Sequence, residues 1–322
     1  MIEVRGLRKR FGDVTALADV DLDVAQGELF GLLGPNGAGK TTTIQLLTGL
    51  ARPDAGTIRI AGIDSTRRPR AAQHLIGVVP DESNLYPELT GFDNLCFCGA
   101  LYGMRARERK ERAAELLETF GLSEAAGRLF AGYSKGMKRK LTVAAGIIRR
   151  PRILFLDEPT TGIDVASARA IRQLIAELRR TGTTILLTTH YIEEAERLCD
   201  RIAFLAAGRI VRVDTLANLI QPVQGNHILQ LTVTGDAAAA CARLVPAFPQ
   251  IRFQALDGGD RIRAESHEEI RIGPLVRLLE QEGVEVLEAR LMRPTLEEIF
   301  VRETGIEAPV MSREKDKAGG GA

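Results

Sequence analysis

Nine consecutive residues, Gly34-Pro35-Asn36-Gly37-Ala38-Gly39-Lys40-Thr41-Thr42, fit the pattern G-x-x-x-x-G-K-[ST]. Such a loop cradles nucleotide phosphates where a helix begins. Glycines at 34, 37 and 39 leave the backbone free to wrap around an anion. The amides then point at it from the positive end of the following helix. In this chemistry Lys40 reaches the β- and γ-phosphates and the Thr41 hydroxyl ligates magnesium. The stretch implies a nucleoside triphosphate.

A second set of residues could complete a phosphoryl-transfer site. Ile153-Leu154-Phe155-Leu156-Asp157-Glu158-Pro159 is an apolar run ending in two adjacent carboxylates. Asp157 is placed to hold the magnesium shell, and Glu158 to orient or deprotonate a water attacking in line with the leaving oxygen. Two neighbouring buried carboxylates repel, so without a cation the pair would be costly. His190 follows another apolar run, Ile185 to Thr189, at the strand-to-helix junction where open α/β sheets gather ligands.

These side chains must be positioned by a parallel sheet. Glu28 to Leu33 before the loop reads as a short buried strand, and Thr42 to Leu50 after it as a helix. Ile76 to Val79, Ile153 to Leu156 and Thr184 to Thr188 are short continuous apolar runs, as strands covered on both faces require. Ile2-Glu3-Val4 and Val20 to Val24 alternate apolar with polar, as half-buried strands do. Helical periodicity covers about 92 to 120, 138 to 149 and 165 to 179, the last closed by Arg179-Arg180-Thr181-Gly182.

The composition shifts near Gln221-Pro222-Val223-Gln224-Gly225-Asn226. Beyond it the pattern predicts strand 227–233, helix 237–245, strands 251–255 and 261–264, helix 269–282, strand 284–291 and helix 295–304. That order, βαββαβ with an added helix, is expected to form a ferredoxin-like sandwich. Glu314-Lys315-Asp316-Lys317 and the glycines after it are expected to be disordered.

The chain has 322 residues, 45% of them hydrophobic, room for one large and one smaller domain. Its 43 Lys and Arg against 42 Asp and Glu give a net charge of +1, which disfavours a nucleic-acid partner. No run approaches the roughly 18 apolar residues of a membrane span, and the N-terminal residues lack the apolar core of a signal peptide. Cys96, Cys98, Cys199 and Cys241 show neither metal-ligand spacing nor a C-x-x-C. They read as reduced thiols used as small apolar residues.

Over residues 1–220 the sequence resembles the nucleotide-binding subunits of ABC transporters. The loop at 34–42, Leu156-Asp157-Glu158-Pro159 and His190 stand in that family's order. Phe11 matches the aromatic on which the family stacks adenine, and Thr161-Gly162-Ile163-Asp164 matches the loop that communicates between the two sites of a dimer. Tyr133-Ser134-Lys135-Gly136-Met137 sits where the family has its Leu-Ser-Gly-Gly-Gln signature. Ser134 and Gly136 are retained, and the resemblance implies that they contact the γ-phosphate bound by a second chain. Lys135 and Met137 depart from the pattern, and Lys135 is expected to face solvent. Asp81 stands where the family places a glutamine near magnesium and the attacking water, with Glu82 as a competitor.

The resemblance implies an α/β P-loop cassette over 1–220 with a mixed or parallel sheet core, an antiparallel β subdomain and a helical subdomain at about 85–150. An accessory α+β domain spans 221–305, and 306–322 form the tail. The implied ligands are ATP and Mg2+, with Thr41, Asp81 and Asp157 around the metal. Two copies would close around two ATP molecules and drive a separate membrane-spanning permease, from the cytoplasmic face of the membrane. Tyr86, Leu89 and the stretch 92–101 are the candidate socket for that permease, with core packing as the alternative. Leu291 to Phe300 resembles the end of exporter-type subunits, including drug- and sodium-extrusion ATPases. The competing reading is a soluble ABC ATPase acting on ribosomes or DNA. It is weakened by the single phosphate loop and by the lack of a sustained heptad run.

Overall fold

The computed structural model describes residues 1–220, 227–256, 259–292 and 295–306. The chain divides into two compact units, Met1–Leu216 with the described residues from Phe300 onward, and Ala217–Ile299. The composition shift at 221–226 and the tail from 307 lie outside the described residues, as do Arg293 and Pro294 of the exporter-like stretch.

In the first unit the strands β1 (Ile2–Phe11), β2 (Val14–Val24), β4 (Ala55–Ile60) and β5 (Ile63–Asp64) form an antiparallel sheet ordered β2-β1-β4-β5. Ile2 and Val4 are buried and Glu3 is exposed, the expected alternation. A second sheet holds β3 (Leu29–Leu33), β6 (Ile76–Val79), β7 (Ile153–Asp157), β8 (Thr184–Thr189), β9 (Arg201–Ala206) and β10 (Arg209–Thr215), ordered β10-β9-β3-β8-β7-β6. Pairing is parallel from β9 through β6, with β10 antiparallel at one edge. Every residue of β3, β7 and β8 is buried, which is why these strands read as unbroken apolar runs. Burying each Leu, Ile or Phe in this core contributes about 1.5–3 kcal/mol.

Helix α1 (Lys40–Leu47) begins at the last residues of the phosphate loop, and α2 (Pro69–Gln73) precedes β6. The periodicity from 92 to 120 predicts continuous helix, but the structure splits it into α3 (Gly91–Leu101) and α4 (Ala106–Thr119). The break falls at Gly103, whose φ of 76° ends a helix without a Cβ penalty. Helix α5 (Lys135–Gly146) starts three residues earlier than periodicity predicts. Ser134 caps it, its hydroxyl accepting from the Met137 amide at 3.3 Å. Helix α6 (Val165–Arg180) is capped by Asp164, which accepts from the Ser167 amide at 2.9 Å. Helix α7 (Ile192–Leu198) follows His190, and α8 (Leu216–Leu219) follows β10. Cys96, Cys98, Cys199 and Cys241 are free thiols, the last two buried.

The remaining elements follow as β11 (His227–Val233), α9 (Ala237–Ala247), β12 (Arg252–Ala255), β13 (Arg261–Ser266), α10 (Ile272–Gln281), β14 (Val286–Met292) and α11 (Leu296–Thr304). Their sheet is antiparallel and ordered β12-β13-β11-β14. Leu229, Leu231 and Val233 of β11 pack with Ala240 and Leu244 of α9 and Leu275 and Leu279 of α10 in one core.

Candidate functional site

The phosphate loop joins β3 to α1. At Gly39 φ is 106°, and a Cβ there would lie 2.6 Å from the Ala16 carbonyl oxygen; no other residue type fits without moving backbone. Lys40, buried, folds back over its own loop. Its ammonium donates to the carbonyls of Gly34 at 2.8 Å and Pro35 at 3.0 Å, and lies 3.2 Å from Glu158 Oε1.

Glu158 thus has Lys40 at one carboxylate oxygen and His190 and Thr161 at the other. His190 Nδ1 is 3.1 Å from Glu158 Oε2, though without the alignment of a hydrogen bond. The Thr161 hydroxyl donates to the same Oε2 at 3.0 Å. The Glu158 amide donates to the Thr188 carbonyl at 3.1 Å, and its φ of 45° places a non-glycine residue in the left-handed region. That conformation costs of order 1–3 kcal/mol and persists only where surroundings enforce it.

Asp157, one residue before, ends β7 and is buried. Its Oδ1 accepts a short hydrogen bond from the Thr188 hydroxyl. Burial pushes the Asp157 carboxyl above its usual range; hydrogen bonds from Thr188 and Thr41 oppose this, and the charges of Glu158 and Asp81 add to it. A cation there would offset that desolvation.

A cavity of about 440 Å³ is lined by Asn36, Gly37, Gly39, Lys40, Thr41, Thr42, Asp81 and Glu158, with Val14, Thr15 and Ala16 of β2. Asp81 joins this cavity; Glu82 is exposed and does not line it. Among the described residues no three His, Cys, Asp or Glu cluster as a metal cage. The oxygen donors of Thr41, Asp157 and Asp81 suit Mg2+, which takes few protein ligands and keeps waters and phosphate oxygens for the rest. The donor set thus fits the expected ion.

Phe11, half exposed, pairs across the β1–β2 hairpin with Val14, which lines the cavity. Lys9 Nζ stands 5.2 Å from its ring centroid. Ser134 and Gly136 are not among the lining residues. Ser134 and Lys135 are exposed at the start of α5, whereas Gly136 is buried. A Cβ on Gly136 would lie 2.2 Å from Ser167 Oγ and 3.3 Å from Asp164 Oδ2. Its missing side chain therefore lets the start of α5 pack against the start of α6. On the helical subdomain Tyr86 and Phe97 stack edge to face at 5.1 Å, and Leu101 is exposed.

Two residues escape a reading by motif. Arg139, buried, gathers four backbone carbonyls: Pro159 from Nε at 2.8 Å, Asp157 at 2.7 Å, Asp81 at 2.8 Å and Pro80. One guanidinium thus ties α5 to the ends of both β6 and β7. Glu194 of α7 accepts from the Thr160 hydroxyl at 2.7 Å. Helical spacing carries a signal for both. Arg139 falls three residues after buried Gly136 and three before buried Thr142, and Glu194 four before buried Leu198.

No helix among the described residues is long and apolar enough to cross a membrane. The family model described as ABC transporter matches residues 17–161. The chain is 36% identical to the linearmycin resistance ATP-binding protein of Bacillus subtilis (strain 168), over 95% of this chain and 98% of that one. It is 40% identical to a daunorubicin resistance ATP-binding protein of Streptomyces coeruleorubidus, over 94% and 96%. With the Nod factor export ATP-binding protein I of Paraburkholderia xenovorans (strain LB400) it shares 42% identity over 71% and 76%. Among solved structures it resembles the ATP-binding subunit of an ABC transporter, with TM-score 0.63, 33% identity and coverage of 68% and 91%. It also resembles a dimeric ATP-binding cassette in a post-hydrolysis state bound to ADP and Pi, with TM-score 0.63, 27% identity and coverage of 67% and 99%.

Proposed function

The chain belongs to the ABC transporter family as one of its ATP-binding subunits, and from that premise we propose that it hydrolyses ATP to drive export through a separate membrane-spanning permease. The observation that carries the reading is the convergence on Glu158: Lys40 Nζ lies 3.2 Å from one carboxylate oxygen and His190 Nδ1 3.1 Å from the other. Cation, carboxylate and imidazole meet beside the phosphate loop, and hydrolysis of a terminal phosphate uses a cation on the phosphates and a group that orients the attacking water.

In this reading the γ-phosphate takes over the Lys40 ammonium. Glu158, released from that ion pair, turns to the attacking water and receives its proton while ADP leaves with the β–γ bridging oxygen. His190 donates to the γ-phosphate. Thr41, Asp157 and Asp81 would hold Mg2+. When bound, the ion neutralises charge on the β- and γ-phosphates. Phe11 stacks on adenine from the β1–β2 hairpin.

The exposed Ser134 at the start of α5 suits a phosphate held by a second chain, because the helix presents its amides there. Two copies closing around two ATP molecules complete both sites, and hydrolysis reopens them. Relatives named for resistance to linearmycin and daunorubicin and for Nod factor export support outward transport. The permease partner would hold the chain at the cytoplasmic face of the membrane.

The test is Glu158→Gln. It should retain ATP affinity, lose turnover by at least about a hundredfold, and accumulate as an ATP-dependent dimer in size-exclusion chromatography. Undiminished turnover would refute the assignment. Affinity capture of the full chain from membranes should bring down a polytopic partner; ribosomes or DNA in its place would sink the transport reading.

A further inference from the structure

Glu194 contributes nothing to the cavity that holds the phosphate loop, yet it is a carboxylic acid only 1% exposed. Its Oε1 accepts from Thr160 Oγ1 at 2.7 Å. Among the described residues its Oε2 is buried with no hydrogen-bond partner. Burial pushes its carboxyl above the usual range, opposed by the Thr160 and Thr189 hydroxyls and the charges of Arg172 and His190. Burying a carboxyl so sparsely satisfied is costly, and a leucine would fill similar volume on α7 without that cost. Packing alone does not call for this residue.

What the carboxyl adds is a directional bond between the loop after β7 and the first turn of α7. Thr160 stands two residues after Glu158, in the segment that enters with the strained Glu158 backbone. Glu194 belongs to the first turn of α7, and its own amide donates to the Tyr191 carbonyl at 3.2 Å. The Tyr191 amide in turn donates to the Thr189 hydroxyl at 3.0 Å, so His190 is held between two tied residues. The Glu158–His190 approach at 3.1 Å closes the ring. We propose that Glu194 is a positioning residue: by anchoring Thr160, it locks the loop after β7 to the loop after β8 and so sets the distance between Glu158 and His190. The inference rests on the hydrolytic reading of those two residues.

The experiment measures steady-state ATPase activity, nucleotide affinity and melting temperature of the full chain in Thr160→Val, Thr160→Ser, Glu194→Gln and Glu194→Leu. Thr160→Val keeps the shape and removes the hydroxyl; it should lower kcat about tenfold with nucleotide Kd unchanged within about twofold. Thr160→Ser should restore turnover, and Glu194→Gln, which keeps an oxygen for Thr160, should stay near wild type. Thr160→Val with Glu194→Leu should be no slower than the worse single change, because both break one bond. Wild-type kcat in Thr160→Val, or multiplicative losses in the double variant, would overturn the proposal. So would losses that follow melting temperature alone. Should Glu194→Leu fail to fold, the Val and Ser pair at Thr160 decides the question. Glu158→Gln separates the two levels: if it is inactive while Thr160→Val is normal, only the positioning role fails.

Discussion

Lys40 and Glu158 form an ion pair with 3.2 Å between Nζ and Oε1, and their side chains are 4% and 7% exposed. The pair joins the start of α1 to the residue that follows β7. Lys40 also donates to the Gly34 and Pro35 carbonyls, and Glu158 also accepts from the Thr161 hydroxyl. Removing one partner of a buried pair leaves an uncompensated charge and costs about 3–5 kcal/mol.

Lys40→Met should therefore lower the stability of the nucleotide-free chain by an amount near that range, read by urea unfolding. It should also weaken ATP binding by at least about tenfold, read by nucleotide titration. A variant with unchanged ATP affinity would remove Lys40 from the phosphate site.

Phe11 is 50% exposed, so the fold does not depend on burying it. Phe11→Ala should leave the melting temperature unchanged and weaken ATP binding about fivefold through lost stacking. Phe11→Trp should hold or tighten it. Equal affinity for ATP and a triphosphate lacking the base, in wild type and Phe11→Ala alike, would argue against stacking.

Asp157 has a native carboxyl raised above its usual 3.8, chiefly by burial. The native state then holds this proton more tightly than the unfolded chain does. Its stabilising contribution is full below the unfolded value and is lost as pH rises through the native one. Unfolding free energies of wild type and Asp157→Asn, measured from about pH 4 to about pH 7, should diverge in favour of the variant and then run parallel. A pH-independent difference would count against the buried, desolvated carboxylate.

Gly136 has no room for a methyl group, because Ser167 Oγ stands 2.2 Å from where its Cβ would be. Gly136→Ala should cost about 1–3 kcal/mol by overpacking, measured as a fall in melting temperature. Ser167→Gly added to it should recover most of the loss. If it does not, the packing of α5 on α6 is not what requires glycine here.

Arg139 satisfies four carbonyls drawn from the ends of β6 and β7 and the residue Pro159. Arg139→Met should destabilise the chain by about 2–4 kcal/mol, since buried carbonyls lose their donor. Arg139→Lys should recover only part, because an ammonium cannot span a planar fork of acceptors. Urea unfolding of the three proteins checks the order.

Much of the site is legible in the sequence because its signals are local. Gly34 to Thr42 carries its own backbone geometry and its own helix start, and the strands β3, β7 and β8 announce themselves by burial on both faces. The family resemblance points to Asp81, which lines the cavity, and to Phe11 and Ser134, which do not. Local pattern misleads where a single residue overrides periodicity. Gly103 breaks the helical run between α3 and α4, and Ser134 starts α5 a turn early.

What the sequence by itself determined is the set of groups that could do the chemistry and the elements that carry them, since motif, cap and apolar run act over a few residues. Tertiary structure alone decided which of those groups meet. Lys40 pairs with Glu158, Arg139 reaches the carbonyls of Pro80 and Asp157, and Thr160 finds Glu194. These partners lie on different helices and strands and on the loops that follow β6 and β7, and what sets their separations is the stacking of parallel strands and the packing of α5 and α7 against them. Neither leaves a periodic trace at the residues concerned. The same holds for Gly136, retained in a motif that suggests a phosphate, and placed by the fold against Ser167.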